Sequence, residues 1–205
     1  MLDDIVAGRD ASLEALQIEA SAIGVRTVVV GGVAVIRHGY RRTTTDRDVL
    51  IDFRDAPRLA DRLMESSDWE RLEIRQYAFL HKPTNMVVDF LVSGDLVQLG
   101  RPYLFPFIDK IETVEPVGGI PVIGLHDLLW LKLLAGRMRD LGDMMELCKL
   151  HLGNIEPDRV LASLEPEDDD LRQTMLEIIR KAPIEIANER RLGQGLHPDY
   201  KKKPS

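Results

Sequence analysis

The first half of the chain alternates short apolar runs with amphipathic stretches, a pattern typical of strands and helices that follow one another. The β-branched run at residues 26–30 predicts a buried strand, because a strand covered on both faces needs no polar positions. Leu59 and Leu63 lie one helical turn apart, and their stretch, 56–64, predicts a helix. Further strands are predicted at 46–53, 69–74, 77–81 and 86–92, and further helices at 11–23 and 33–38.

The second half of the chain changes character after Gly124. Two β-branched runs at 113–117 and 120–123 flank a Gly-Gly pair, which predicts a hairpin. From residue 125 onward the periodicity is helical, with one long helix over 125–152 and shorter ones over 157–164, 169–181 and 183–191. We therefore predict an α+β fold: a mixed sheet flanked by helices in 1–124, a helical region in 125–192 and a flexible tail in 193–205.

Composition and charge narrow the class of protein. The 205 residues are 44% hydrophobic and 30% charged with a net charge of -7, so the chain is globular and lacks a basic field for nucleic acid. Its single cysteine, Cys148, permits no internal disulfide, which indicates a reducing compartment. The first ten residues resemble no signal peptide, and no apolar stretch reaches the roughly 18 residues of a membrane span. We expect a cytoplasmic protein without membrane contact.

The candidate chemistry lies in three aspartates on two predicted strands. Asp46 and Asp48 are two residues apart, so strand alternation turns both carboxylates to one face. Asp89 lies inside the apolar run 86–92, where a carboxylate is costly without a partner. A divalent cation bound by all three would satisfy the set, because hard cations take carboxylate oxygens. In the alternative interpretation, Asp46 and Asp48 face solvent and Asp89 forms a structural ion pair.

A glycine pair directly after the first predicted strand supplies a candidate phosphate site. Gly31 and Gly32 open the next helix, and such a turn exposes backbone N–H groups that suit a phosphate chain. Arg42 either reaches phosphate or the acceptor or is a surface arginine, and Thr44 contacts either a ligand or the turn backbone. Lys132 lies among leucines on the long predicted helix, where it either reaches phosphate oxygens or belongs to a solvated polar face.

Taken together, these segments resemble a known family. The combination is Val-Val-Val-Gly-Gly-Val-Ala-Val at 28–35, His-Gly-Tyr at 38–40 and Arg-Thr-Thr-Thr-Asp-Arg-Asp at 42–48. It resembles the nucleotidyltransferase superfamily related to DNA polymerase β. It is most similar to the bacterial branch of AbiEii-like, type IV toxin–antitoxin proteins, over about residues 27–92. A looser likeness continues in Lys-Leu-Leu-Ala-Gly-Arg-Met-Arg-Asp-Leu-Gly-Asp at 132–143.

The resemblance implies a fold, a reaction and a set of ligands. A nucleotidyltransferase-type sheet would transfer a nucleoside monophosphate from an NTP to an acceptor hydroxyl, with Mg²⁺ or Mn²⁺ bound by Asp46, Asp48 and Asp89. The implied nucleotide-binding residues are Gly31, Gly32, Arg42, Thr44 and Lys132. The implied acceptors are tRNA or another RNA, a protein or a small molecule, and a cognate toxin or antitoxin protein is an implied partner. The alternative is a catalytically silent nucleotide- and metal-binding module that regulates or binds a partner.

Two positions depart from the family's pattern. Gly32 stands where many active members have serine, so one hydroxyl contact to phosphate is expected to be missing. Arg47 stands between the two acids, where an aliphatic residue is usual. Strand alternation points Arg47 away from the metals, so we expect the face opposite the site to be partly solvated.

Overall fold

A computed structural model describes residues 2–73 and 75–191 of the chain. The chain divides into two compact units, Met1–Leu131 and Lys132–Ser205. The boundary predicted from the sequence, at residue 124, lies shortly before this division, and the predicted tail at 193–205 lies outside the described residues. All strands found among the described residues belong to the first unit.

The first unit is built on a seven-stranded mixed sheet. Its strands are β1 (Thr27–Val29), β2 (Asp46–Ile51), β3 (Trp69–Leu72), β4 (Ala78–His81), β5 (Met86–Val92), β6 (Thr113–Val117) and β7 (Ile120–Ile123). They lie side by side in the order β3-β4-β5-β2-β1-β7-β6. β2 is parallel to β5 and β1 is parallel to β7, whereas the other neighbours are antiparallel. The mixed sheet confirms the predicted α+β class.

The middle of the sheet forms the core of the first unit. All three residues of β1 are buried, and so are Val49, Leu50 and Ile51 at the end of β2. β1 lies between two other strands and both its faces are covered, which explains the β-branched run that predicted it. Asp46 and Asp48, at the start of β2, are only half-buried. The start of β2 is therefore more open to solvent than its end.

Helices flank the sheet. The first unit contains α1 (Leu2–Val6), α2 (Ala11–Ala22), α3 (Gly31–Arg37), α4 (Ala56–Met64) and a short 3-10 helix (Ile108–Lys110), and the division between units falls within α5 (Leu125–Ala135). The sequence-based start of α3, residue 33, is two residues late. The glycine pair belongs to the helix, because Gly31 and Gly32 form its first turn. Hence the turn that was predicted to precede the helix is its N-terminus.

The helical region differs from its prediction at one glycine and one proline. The long helix predicted over 125–152 is two helices, α5 and α6 (Met138–Leu150), because Gly136 takes a left-handed φ of 61° that ends α5. Conversely, α8 (Asp169–Arg191) runs through Pro183, where two helices were expected, and α7 (Pro157–Leu161) precedes it. None of the described helices is long and apolar enough to span a membrane.

Candidate functional site

The three predicted aspartates meet at one face of the sheet. β2 and β5 are adjacent and parallel, with Asp48 directly beside Asp89 in register. Asp46 lies two residues earlier on β2 and points to the same face. One carboxylate oxygen from each aspartate lies within 4.8 Å of the other two. The structure therefore assembles the predicted triad, from residues about 40 positions apart in the chain.

Asp89 is the buried member of the triad, with 3% of its surface exposed. Burial raises the pKa of Asp89 above its ordinary value, the Arg75 guanidinium opposes the rise, and the Asp46 carboxylate adds to it. Its Oδ1 atom is buried without a hydrogen-bond partner. A buried carboxylate oxygen without a partner is costly, and a cation would remove that cost. The donor set, three carboxylates on one face, fits Mg²⁺ or Mn²⁺.

Arg75 provides a positive charge at the triad that sequence reasoning missed. Its Nη1 donates to Asp89 Oδ2, while its own side chain is 60% exposed. Arg75 lies on the turn between β3 and β4, and the pairing of Ala78 with Asp89 places that turn beside the carboxylate. One carboxylate oxygen of Asp89 therefore forms the ion pair that the alternative interpretation predicted. The other oxygen has no hydrogen-bond partner. No local pattern signals Arg75, because its approach depends on how β4 pairs with β5.

Gly31 brings the backbone of α3 against the triad. A Cβ atom at this position would lie 1.8 Å from Asp48 Oδ2, so no other residue fits beside that carboxylate. Gly31 also has a φ of 59°, in the left-handed region that favours glycine. The preceding residue, Val30, donates its N–H to the carbonyl oxygen of Asp48 over 2.9 Å. The first turn of α3 is thus held directly against a metal-ligand candidate.

The remaining nucleotide-binding candidates of the first unit lie at the same turn. A Cβ atom on Gly32 would lie 2.4 Å from Thr44 Oγ1 and 3.1 Å from Arg42 Nη2. Thr44 Oγ1 in turn lies 3.2 Å from Asp46 Oδ1. The structure therefore brings Gly31, Gly32, Arg42 and Thr44 to the aspartates, although they come from a helix and from the loop before β2.

Lys132 belongs to the second unit and has two carboxylate partners there. Its Nζ donates to Asp140 Oδ1 over 3.0 Å and to Asp143 Oδ2 over 2.6 Å, with all three side chains buried. Arg137 Nε also donates to Asp140, over 2.6 Å. Burial alone would raise the pKa of Asp140, but the hydrogen bonds from Arg137 and Lys132 hold it below its usual value. The phosphate contact of Lys132 stays a prediction.

Arg47, on the face opposite the triad, is buried and does not face solvent, which corrects the expectation of a solvated surface at this position. Arg47 is 1% exposed, and its Nε donates to Asp10 Oδ2 over 2.7 Å. Asp10 Oδ1 accepts from the backbone N–H groups of Ser12 and Leu13 and caps α2. Arg47 Nη1 also donates to the carbonyl oxygen of Asp46 over 3.1 Å. A buried ion pair therefore supports the strand from behind, and sequence reasoning missed Asp10 because the pair spans distant elements.

Comparisons with known proteins identify the fold. No protein-family model matches the chain, and no curated protein does. Among solved structures, the chain is similar to an antigenic nucleotidyltransferase-like protein from Paracoccidioides brasiliensis, with a TM-score of 0.50 and 20% identity over 84% of this chain and 92% of that one. The fold is nucleotidyltransferase-like. A second similar structure is ANT(2")-Ia in complex with adenylyl-2"-tobramycin, with a TM-score of 0.46 and 11% identity over 82% of this chain and 98% of that one. The AbiEii-like branch stays a prediction.

Proposed function

We propose that this protein is a metal-dependent nucleotidyltransferase that moves a nucleoside monophosphate from an NTP to an acceptor hydroxyl. One observation carries the proposal: three carboxylates converge to within 4.8 Å, and the most buried of them keeps an oxygen without a partner. The triad sets three carboxylates against the guanidinium of Arg75, and divalent metal ions would supply the further positive charge. The nucleotidyltransferase-like fold is consistent with this chemistry.

Each residue of the site has a role in the proposed reaction. Asp46, Asp48 and Asp89 would hold Mg²⁺ or Mn²⁺. When bound, the ions would neutralise the triphosphate and activate the acceptor hydroxyl. Gly31 and Gly32 bring the start of α3 close to the triad because they have no side chains, and the N–H groups of this turn would bind phosphate oxygens. Positioning and charge neutralisation supply most of the rate in phosphoryl transfer, and this site is built for both.

Arg42 and Thr44 complete the nucleotide side of the proposed site. Both side chains lie at the turn, beside the position that a Cβ atom of Gly32 would take. A guanidinium there is placed to pair with phosphate oxygens in a fixed geometry. We include Arg42 as a phosphate contact on this ground.

The acceptor of the proposed reaction belongs to one of three classes: tRNA or another RNA, a protein side chain, or a small molecule. A cytoplasmic location and a cognate toxin or antitoxin protein as partner are part of the same proposal. The net charge of -7 speaks against a large RNA-binding surface, so an RNA acceptor would be bound through few phosphates.

A labelling experiment tests the reaction. The full chain is incubated with each α-labelled NTP, Mg²⁺ or Mn²⁺, and either total RNA, cell protein or a small-molecule extract. We expect label on one acceptor class with the wild type, and none with Asp46→Ala. Asp61→Ala is the matched control, because Asp61 is an exposed acid on α4. Absence of transfer to all three classes, or equal transfer by Asp46→Ala, would refute the enzymatic function.

The contact between Arg75 and Asp89 favours a second candidate function. A guanidinium on a ligand oxygen is one way to keep the fold while weakening the metal site. The second candidate is therefore a catalytically silent nucleotide- and metal-binding module that regulates or binds a partner. It predicts NTP binding by isothermal titration calorimetry without any label transfer, by the wild type or by Arg75→Ala.

A further inference from the structure

The hydroxyl group of Thr44 lies where a side chain on Gly32 would be. A Cβ atom on Gly32 would lie 2.4 Å from Thr44 Oγ1 and 2.9 Å from Thr44 Cβ. Thr44 itself is 4% exposed. The loop before β2 thus packs its threonine onto the bare first turn of α3, and the two positions exclude each other sterically. The side chain of residue 44 thus occupies the space that a side chain at residue 32 would need.

The same hydroxyl faces Asp46. Thr44 Oγ1 lies 3.2 Å from Asp46 Oδ1 and 3.4 Å from the carbonyl oxygen of Asp46. A hydroxyl has one hydrogen to donate, and the carboxylate is the stronger acceptor because it is charged. Both distances are long for O–H···O hydrogen bonds, so the expected effect is modest.

Asp46 is the member of the triad that lies at the end of its strand. It is the first residue of β2, whereas Asp48 is held between residues of the strand and Asp89 lies in the middle of β5. Residue 45 lies before the strand and forms no strand pairing, so the sheet does not hold the backbone on that side of Asp46. Thr44, on the loop before β2, therefore provides a side-chain contact to a carboxylate at a strand end.

We propose that Thr44 is a positioning residue for Asp46, and that Gly32 is glycine so that the Thr44 hydroxyl can lie between the turn and that carboxylate. This inference rests on the proposed function, since it assigns Asp46 to metal binding. The Thr44 hydroxyl does not replace the phosphate contact expected to be missing at residue 32, because its one hydrogen is directed to Asp46.

Two substitutions separate positioning from simple space filling. Thr44→Val keeps the shape of the side chain and removes the hydroxyl, whereas Thr44→Ser keeps the hydroxyl and removes a methyl group. The readout is the dissociation constant for Mn²⁺, measured on the full chain by the electron paramagnetic resonance signal of free Mn²⁺. For Thr44→Val we expect binding weaker by about threefold, the loss of one long hydrogen bond to a charged group. Thr44→Ser should bind Mn²⁺ within about twofold of the wild type.

Two results would overturn the positioning role. If Thr44→Val binds Mn²⁺ as tightly as the wild type, the Thr44 hydroxyl does not position Asp46. Thr44→Ser that binds as weakly as Thr44→Val shows that packing, and not the hydroxyl, is responsible. A wild-type chain that binds no Mn²⁺ overturns the proposed function and this inference together, whereas normal wild-type binding with an unchanged Thr44→Val overturns this inference alone.

A reciprocal exchange tests the steric part without any metal. Gly32→Ser, Thr44→Gly and the double variant are compared by urea unfolding of the full chain. We expect Gly32→Ser to lower the unfolding midpoint, and the double variant to lose less than the two single losses combined, because Thr44→Gly vacates the space that the serine needs. If the losses of stability in the two single variants add up in the double variant, the side chains of residues 32 and 44 do not exclude each other sterically.

Discussion

The buried pair between Arg47 and Asp10 allows a sharp test of what supports the triad from behind. The perturbation is Asp10→Asn, which removes the charge and preserves the size of the side chain. Asparagine is also a good N-cap, so the capping of α2 is retained. The change therefore leaves the guanidinium of Arg47 buried, with a neutral amide in place of its carboxylate partner.

The expected loss follows from burial and distance. The atoms Arg47 Nε and Asp10 Oδ2 are 2.7 Å apart, and the two side chains are 1% and 5% exposed. Removing one partner of such a pair costs about 3–5 kcal/mol, because the other charge remains buried. Replacing both partners, as in Asp10→Asn with Arg47→Met, should restore most of that loss. A domain of ordinary stability has only about 5–15 kcal/mol, so the single change is readily measured.

Urea unfolding followed by circular dichroism measures these free energies, with Asp55→Asn as the matched control. Asp55 pairs with Arg58 at 2.6 Å, but the side chains are 26% and 55% exposed, and Asp55 makes no capping hydrogen bond. Asp55→Asn should lower the free energy of unfolding by less than about 1 kcal/mol. The reasoning is refuted if Asp10→Asn costs no more than Asp55→Asn, or if the double variant is as unstable as the two single losses combined.

Three further predictions concern the triad and the second unit. Gly31→Ala should abolish Mn²⁺ binding and destabilise the chain by more than the roughly 1–2 kcal/mol of left-handed strain alone, because its Cβ would lie 1.8 Å from Asp48 Oδ2. Arg75→Ala should tighten Mn²⁺ binding by up to about fivefold, since the half-exposed guanidinium competes with the metal for Asp89. Asp140→Asn should cost about 1–3 kcal/mol in urea unfolding at neutral pH, since Lys132 keeps Asp143. The pKa of Asp140 is lowered in the fold, so its contribution is present above its ordinary value of 3.8 and is lost as the pH falls below that value.

Gly31→Ala has a matched control variant, and the other two predictions have outcomes that would contradict them. Gly24→Ala is the control for Gly31→Ala, because Gly24 has a φ of 68° and nothing lies within 4 Å of its Cβ position. If both variants lose the same stability, the clash with Asp48 does not contribute to the effect of Gly31→Ala. Weaker Mn²⁺ binding by Arg75→Ala would mean that Arg75 supports the metal site and does not compete for it. For Asp140, an Asn variant whose stability falls as steeply as the wild type's below pH 4 would contradict the assignment.

Sequence reasoning succeeded where the determining physics is local. The bounds predicted for α4, β5, β6 and β7 match the structure, because apolar periodicity and a Gly-Gly turn are set within a few residues. It failed at two residues that favour helix breaks, since one of them ended its helix where none was expected and the other did not. Gly136 ends α5 through its left-handed backbone, and α8 continues through Pro183 with Ala182 and Ile186 buried on either side.

The sequence by itself determined that Asp46 and Asp48 share a face, that Asp89 needs a partner, and that a glycine pair without side chains follows the first strand. These follow from strand alternation, from the cost of a buried charge and from glycine geometry. Only the tertiary structure decided which strand lies beside which, because strand pairing joins residues far apart in the chain. That pairing set Asp48 beside Asp89 and brought in the partners that no local pattern reveals: Asp10 behind Arg47, Arg75 on Asp89 and Thr44 over Gly32.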